Sequence, residues 1–102
     1  MRISKEDFYK IPVKQRNGIY EVKNLGTYYW VNGKLNREDG PAVEFIDGDK
    51  YWYINDKYHR LDGPAIEWDE TKEYWIEGKE YYIKEEFEKV VYMYKNGLQD
   101  YL

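Results

Sequence analysis

The sequence predicts a mainly β (α+β) protein: an antiparallel twisted sheet of repeated β-hairpins, with a short N-terminal helix and a C-terminal amphipathic helix. Three observations carry that reading. A block of sixteen residues recurs in the middle of the chain, Tyr and Trp dominate its apolar positions, and helical periodicity is confined to the two ends. Aromatic and β-branched side chains suit a pleated, half-buried surface, so they favour strands. At 102 residues the chain is the size of one domain with one continuous core, in which residues 4–11 form the first helix, 19–83 the hairpins and 84–95 the last helix.

Ser4-Lys5-Glu6-Asp7 has the form of a capping box opening a helix that carries Phe8 and Ile11, and Pro12 stops it. Asn17-Gly18 then turns the chain into a strand over Ile19 to Lys23. Residues 30–45 lie over residues 53–68 without a gap at an offset of 23, and eight of the sixteen pairs are identical. Chance does not give that density of matches, so these segments are copies. The matches include Asn32 with Asn55, Lys34 with Lys57, Arg37 with Arg60 and the run Asp39 to Ala42 with Asp62 to Ala65.

Outside that block, Tyr28-Tyr29 matches Tyr51-Trp52, which in turn matches Tyr74-Trp75 at the head of a third, truncated copy. Within each copy a strand runs into Asn32-Gly33 or Asn55-Asp56, residue types that tolerate positive φ at a hairpin turn. The links Asp39-Gly40-Pro41 and Asp62-Gly63-Pro64 are the structural turns of the repeat: Gly accepts unusual angles, Pro fixes φ and Asp binds nearby backbone N–H groups. Strands resume at Ala42 to Ile46 and Ala65 to Trp68. At the far end Phe87, Val90, Val91 and Tyr94 fall at i, i+3, i+4 and i+7 over Lys84 to Lys95, one apolar stripe that needs a surface to pack on, and Asn96-Gly97 ends it.

Composition narrows the function. With no Cys there is no disulfide framework or thiolate metal site, and no apolar run has the length of a membrane span, so a cytoplasmic protein is expected. A net charge of −4 argues against duplex nucleic acid as a partner. Residues 1–37 carry eight basic and three acidic side chains, whereas residues 38–102 carry eight and seventeen, and such a dipole would steer a basic partner onto the acidic part. Catalysis lacks reagents: one His, a single Ser in a capping context, Thr27, Thr71 and no Cys exclude a Ser-His-Asp or Cys-His arrangement, and no metal-ligand spacing or phosphate-cradling loop is present. Paired carboxylates of glycosidase type are the remaining catalytic option, but Asp39 and Asp62 recur at one register and read as turn residues. No catalytic residue, metal or cofactor is therefore expected.

Two sets of residues are candidates for binding. Alternation puts Tyr28 and Trp30, and again Tyr51 and Tyr53, on one face, with Tyr29, Val31, Trp52 and Ile54 on the other. Helices laid over the Trp52 face would leave Tyr28, Trp30, Tyr51, Tyr53 and Tyr74 open, and rigid aromatic rows of this kind anchor protein partners or stack on nucleobases. Arg37 and Arg60 recur two positions before Asp39 and Asp62; they either tie the link to carboxylates and carbonyls or grip a phosphate. His59 stands where the first copy has Asn36 and reads as a surface hydrogen-bonding position, not a ligand.

The phrase Asn-Gly-Lys-Leu-Asn-Arg-Glu-Asp-Gly-Pro-Ala at 32–42, with its copy at 55–65, resembles a repeat found in many bacteriophage and giant-virus proteins, often as Asn-Gly-Lys-x-His-Arg-x-Asp-Gly-Pro-Ala, and is distantly similar to MORN repeats. The likeness covers about residues 28–83; Asn36 replaces the His in the first copy and Asp56 the Gly in the second. It implies a viral origin and a strand-turn-strand architecture, and it brings no activity with it. The function expected by analogy is a non-enzymatic viral factor that binds and inhibits a host protein, including components of antiphage defence. A sponge for a nucleotide signal, with Arg37 or Arg60 on phosphate, and a structural or assembly module are the rival readings. Open sheet edges would also permit a homodimer.

Overall fold

The computed structural model describes residues 1–98. In chain order they form β1 (Arg2–Ile3), α1 (Lys5–Lys10), a single 3-10 turn (Val13–Gln15), β2 (Gly18–Val22), β3 (Gly26–Val31), β4 (Lys34–Leu35), β5 (Val43–Phe45), β6 (Lys50–Tyr51), β7 (Tyr53–Ile54), β8 (Lys57–Tyr58), β9 (Ile66–Trp68), β10 (Thr71–Ile76), β11 (Lys79–Tyr81) and α2 (Lys84–Lys95). The protein is mainly β. One large sheet runs β1-β2-β3-β5-β6-β9-β10-β11 with β4 on β3, β7 pairs with β8, and every pairing is antiparallel except β1 with β2. Both helices fall where their signals lie: Ser4 Oγ accepts from Asp7 N–H at the start of α1, and Gly97 at φ 68° closes α2 while Leu98 N–H reaches back to the Met93 carbonyl. The parallel strand β1 has no signal in its two residues.

Three hairpin turns share one backbone form. Asn32-Gly33, Asn55-Asp56 and Glu77-Gly78 each hold two consecutive residues at positive φ, the type I′ turn that matches the twist of the flanking strands. Each turn also leans on the segment before it. The N–H of the first turn residue donates to a side chain, Asn32 to Asn17 Oδ1 at 3.0 Å, Asn55 to Asn36 Oδ1 at 2.9 Å and Glu77 to His59 Nδ1 at 3.0 Å. The N–H of the second donates to a carbonyl, Gly33 to Arg16, Asp56 to Leu35 and Gly78 to Tyr58. Asn and His interchange here because Oδ1 and Nδ1 stand at the same distance from the backbone and both accept. Asn17, expected to make a turn of its own, instead supplies the acceptor that seats the first hairpin.

The third copy comes one residue earlier than the alignment predicts. Between β5 and β6 the chain turns through three residues with Gly48 at φ 98°, whereas between β9 and β10 Trp68 pairs with Thr71 and only Asp69-Glu70 make the turn. Glu73 therefore lies opposite Ile66, where Tyr51 lies opposite Val43. Tyr74 and Trp75 occupy the places of Trp52 and Tyr53, and the expected match of Tyr74 with Tyr51 is corrected accordingly.

The expected single core is instead two clusters of buried side chains among the described residues, on opposite faces. Directly paired residues share a face, so Tyr20, Tyr28, Val43, Tyr51, Ile66 and Glu73 define one, here the Tyr28 face. There α1 places Phe8 against Tyr20, Val22 and Trp30. Tyr74 follows Glu73 and points to the other, the Trp52 face, where α2 places Phe87 and Val90 against Ile76, Leu61 and Tyr74. The two helices cover opposite faces at opposite ends. The open-face reading asks for α2 on the Trp52 face, where it lies, but α1 covers the Tyr28 face, because Phe8 packs on Tyr28 at 5.0 Å. Ala42 and Ala65 are fully buried between the two ends.

Candidate functional site

On the Trp52 face, Arg37 and Arg60 are tied down by their own links. Arg37 Nε donates to Asp39 Oδ1 at 2.9 Å and Nη1 to the Pro41 carbonyl at 3.2 Å, with the guanidinium 4.1 Å above the Tyr29 ring. Arg60 repeats this with Asp62 at 2.8 Å, the Pro64 carbonyl at 3.0 Å and the Trp52 ring at 3.9 Å, and Glu67 lies 3.5 Å from its Nη1. These links also explain Gly40 and Gly63. Neither has positive φ; a Cβ would stand 2.7 Å from Arg37 Cζ in one case and 2.8 Å from Arg60 Cζ in the other. Glycine leaves floor space for the guanidinium without using a positive φ, while the prolines offer the carbonyls.

Hydrogen bonds from the guanidinium groups hold the Asp39 and Asp62 carboxyls below their ordinary range, so both links are ion pairs at neutral pH. A cleft of about 620 Å³ opens beside them, and besides both arginines it is lined by Glu38, Asp39, Asp62 and His59. Burial lowers the His59 pKa, with Glu77 opposing, so the imidazole that accepts from Glu77 N–H is neutral.

The other candidate residues lie apart. Trp30 is buried, 7% exposed, beneath Phe8 and the Arg16 guanidinium, which sits 4.3 Å from the Phe8 ring and 5.1 Å from the Trp30 ring. Tyr28 is half-buried beside it, and Tyr74 is on the opposite face under Phe87 at 4.8 Å. Of the five aromatics expected to form one open face, the Tyr28 face keeps Tyr51 and Tyr53 uncovered. They belong to a longer file. Rings follow one another from Phe8 through Tyr28, Phe45, Tyr51 and Tyr58 to Trp75 with centroids 5.0, 6.0, 5.7, 6.4 and 5.1 Å apart, and Tyr53 stacks on Tyr58 at 4.6 Å.

Alternation within a strand points to Tyr51 and Tyr53, but Phe45, Tyr58 and Trp75 join them only through strand pairing and the shortened third copy. None of the rings from Phe45 onward belongs to either buried cluster, each is half-buried, and Trp68 nearby is 45% exposed. Burial, with Tyr58 and nearby carboxylates adding, raises the Tyr51 and Tyr53 pKa values, so both phenols stay neutral donors.

Among the described residues no group of three His, Cys, Asp or Glu side chains could hold a metal ion, and no helix is long and apolar enough to cross a membrane. Compared with protein-family models, with curated proteins and with solved structures, the chain matches none.

Proposed function

We propose that the chain is a non-enzymatic binding protein, a repeat array of β-hairpins whose uncovered part of the Tyr28 face docks on another protein. The observation that carries this reading is the file Phe45, Tyr51, Tyr53, Tyr58 and Trp75, half-buried and covered by neither helix. Aromatic side chains held by a sheet lose little freedom on binding, and together they form the kind of flat anchor that dominates protein interfaces. The resemblance of residues 28–83 to phage and giant-virus repeats makes a host protein the expected partner, bound in the cytoplasm and inhibited by occlusion. The nucleotide-sponge reading is disfavoured because Arg37 and Arg60 already bind Asp39 and Asp62, and their cleft is lined with carboxylates.

The test is a selection of random peptides against the protein, repeated with a Tyr53→Ser/Trp75→Ser variant whose folding is checked by thermal unfolding. Selected peptides should bind the protein and lose at least about tenfold in affinity on the variant, a difference of about 1.4 kcal/mol. Peptides that bind both forms equally, or a selection that yields none, would remove the reading. A panel of cyclic and linear nucleotides should leave the unfolding temperature unchanged.

A further inference from the structure

The aromatic positions of this sheet differ in what closes them. On the Trp52 face, Tyr29 lies under Arg37, Trp52 under Arg60 and Tyr74 under Phe87 of α2. On the Tyr28 face, α1 and Arg16 close the first rings. Three of these closures are guanidinium groups laid on rings. From Tyr51 to Trp75 the file has no such cover among the described residues.

Charge is sorted between the faces in the same way. Lys34, Lys50, Lys57, Lys72 and Lys79 pair with Val31, Glu44, Ile54, Glu67 and Ile76, so strand pairing puts all five on the Trp52 face. Glu73 pairs with Ile66, and Glu80 with Trp75, so both carboxylates stand on the Tyr28 face beside the open rings. Among the described strand residues from Val43 to Tyr81, that face carries these two acids and no Lys or Arg. Glu73 Oε1 accepts from Trp75 Nε1 at 3.1 Å, which leaves its second oxygen free to accept from a partner.

We infer that the partner segment is basic: an Arg-bearing extended stretch that lays guanidinium groups on Tyr51, Tyr53, Tyr58 and Trp75 and pairs with Glu73 and Glu80. It supplies in trans the closure that Arg37 and Arg60 give the opposite face in cis. Guanidinium suits the role better than ammonium because it is planar, weakly hydrated and can stack while it donates to a carboxylate. This rests on the docking reading above and adds the chemistry of the partner.

The experiment is a fluorescence-anisotropy titration of labelled peptides of about ten residues, enough to cross the file at about 3.3 Å per residue. Alternating Arg-Gly, Lys-Gly, Glu-Gly and uncharged Leu-Ser peptides are compared on the protein, on Glu73→Gln/Glu80→Gln and on Glu44→Gln. Gln at 73 keeps an acceptor for Trp75, so folding is not at issue. The Arg peptide should bind best, weaken with added salt, lose about tenfold on the double variant and be unchanged by the Glu44 variant on the opposite face.

Equal binding of the Arg and Leu-Ser peptides, or equal loss with Glu44→Gln, overturns the inference. So does a doubled solution mass that Tyr53→Ser abolishes, which would make a second copy the occupant. Peptides selected at random that need Tyr53 and Trp75 but lack basic residues would sink this inference alone and leave the docking reading standing.

Discussion

In the first copy Arg37 lies over Tyr29 and binds Asp39 and the Pro41 carbonyl, and Glu44 turns away to Lys50 at 3.9 Å. In the second copy Arg60 lies over Trp52, binds Asp62 and the Pro64 carbonyl, and draws in Glu67, the counterpart of Glu44. The next hairpin is seated by Asn36 in the first case and by His59 in the second. Apart from Glu44 and Glu67, which are identical but differ in partner, the residues shared between the copies make the same contacts, and those contacts form the link itself. Where the copies differ, the difference falls on what each link adds: a larger ring, a second carboxylate and a titratable acceptor all belong to the second. The second link is therefore expected to be the stronger at neutral pH and the one that responds to mild acid.

Filling the floor of the link tests this comparison without removing the arginine. Gly63→Ala puts a methyl group against Arg60 Cζ, 2.8 Å away before relaxation, and pushes the guanidinium off Trp52 and Asp62. The atom met is the end of a flexible side chain, so the loss is bounded by what the guanidinium contributes, about 2 kcal/mol at position 63 and about 1 kcal/mol at position 40, and urea unfolding measures both. A Gly63→Ala loss that is undiminished in an Arg60→Ala background, where no guanidinium meets the added carbon, would refute the steric account.

Removing the arginine sharpens the difference between copies. Arg60→Ala forfeits charge-assisted hydrogen bonds and a guanidinium stack, together about 2 kcal/mol, whereas Arg37→Ala, on a smaller ring and without the second carboxylate, should cost about 1 kcal/mol. Lysine at position 60 should recover less than half of the loss, since it cannot hold Asp62, the carbonyl and the ring at once. Equal losses at 37 and 60 would mean that Trp52 and Glu67 add nothing.

Much of this architecture is legible in the sequence. The repeat places both links, both turn pairs and the equivalence of Asn36 with His59, and the periodicity of Phe87, Val90, Val91 and Tyr94 places α2 at 84–95. What stays hidden depends on one residue of turn length. Asp69-Glu70 closes β9 on β10 with two residues where the preceding hairpin uses three, and that single deletion moves Tyr74 to the opposite face and brings Trp75 into the aromatic file. Composition does not register such a slip, because a shift of one residue along a strand exchanges faces without changing which residues are present.

The buried Arg16 is equally silent in the sequence. Its neighbours along the chain are polar, and its burial comes from Phe8 and Trp30, which reach it only after α1 has folded onto the sheet. The end of the array is easier to rationalise. Tyr81 stands where Asn36 and His59 stand in the two earlier copies, and a phenol offers no acceptor at the δ position to seat a further hairpin.

The smallest effect expected is the most specific to the second copy. His59 accepts from Glu77 N–H through Nδ1 and must be neutral to do so. Burial holds its folded pKa below the 6.5 of the unfolded chain, so the unfolded state takes up the proton first, and stability falls as pH drops through 6.5 and levels off below the folded pKa. The carboxyls of Asp39 and Asp62 respond in a separate, lower window: their folded pKa values lie below 3.8, so what they contribute is present above 3.8 and is lost on further acidification.

His59→Asn puts into the second copy the acceptor that the first already uses, and should flatten the upper window while leaving the lower one intact. The converse, Asn36→His, should deepen the upper window, because two clasps would then titrate. Thermal unfolding followed from pH 8 downward separates these outcomes. A single variant that shifts both windows, or an upper window that persists in His59→Asn, would mean that the pH response comes from somewhere other than the clasp between hairpins.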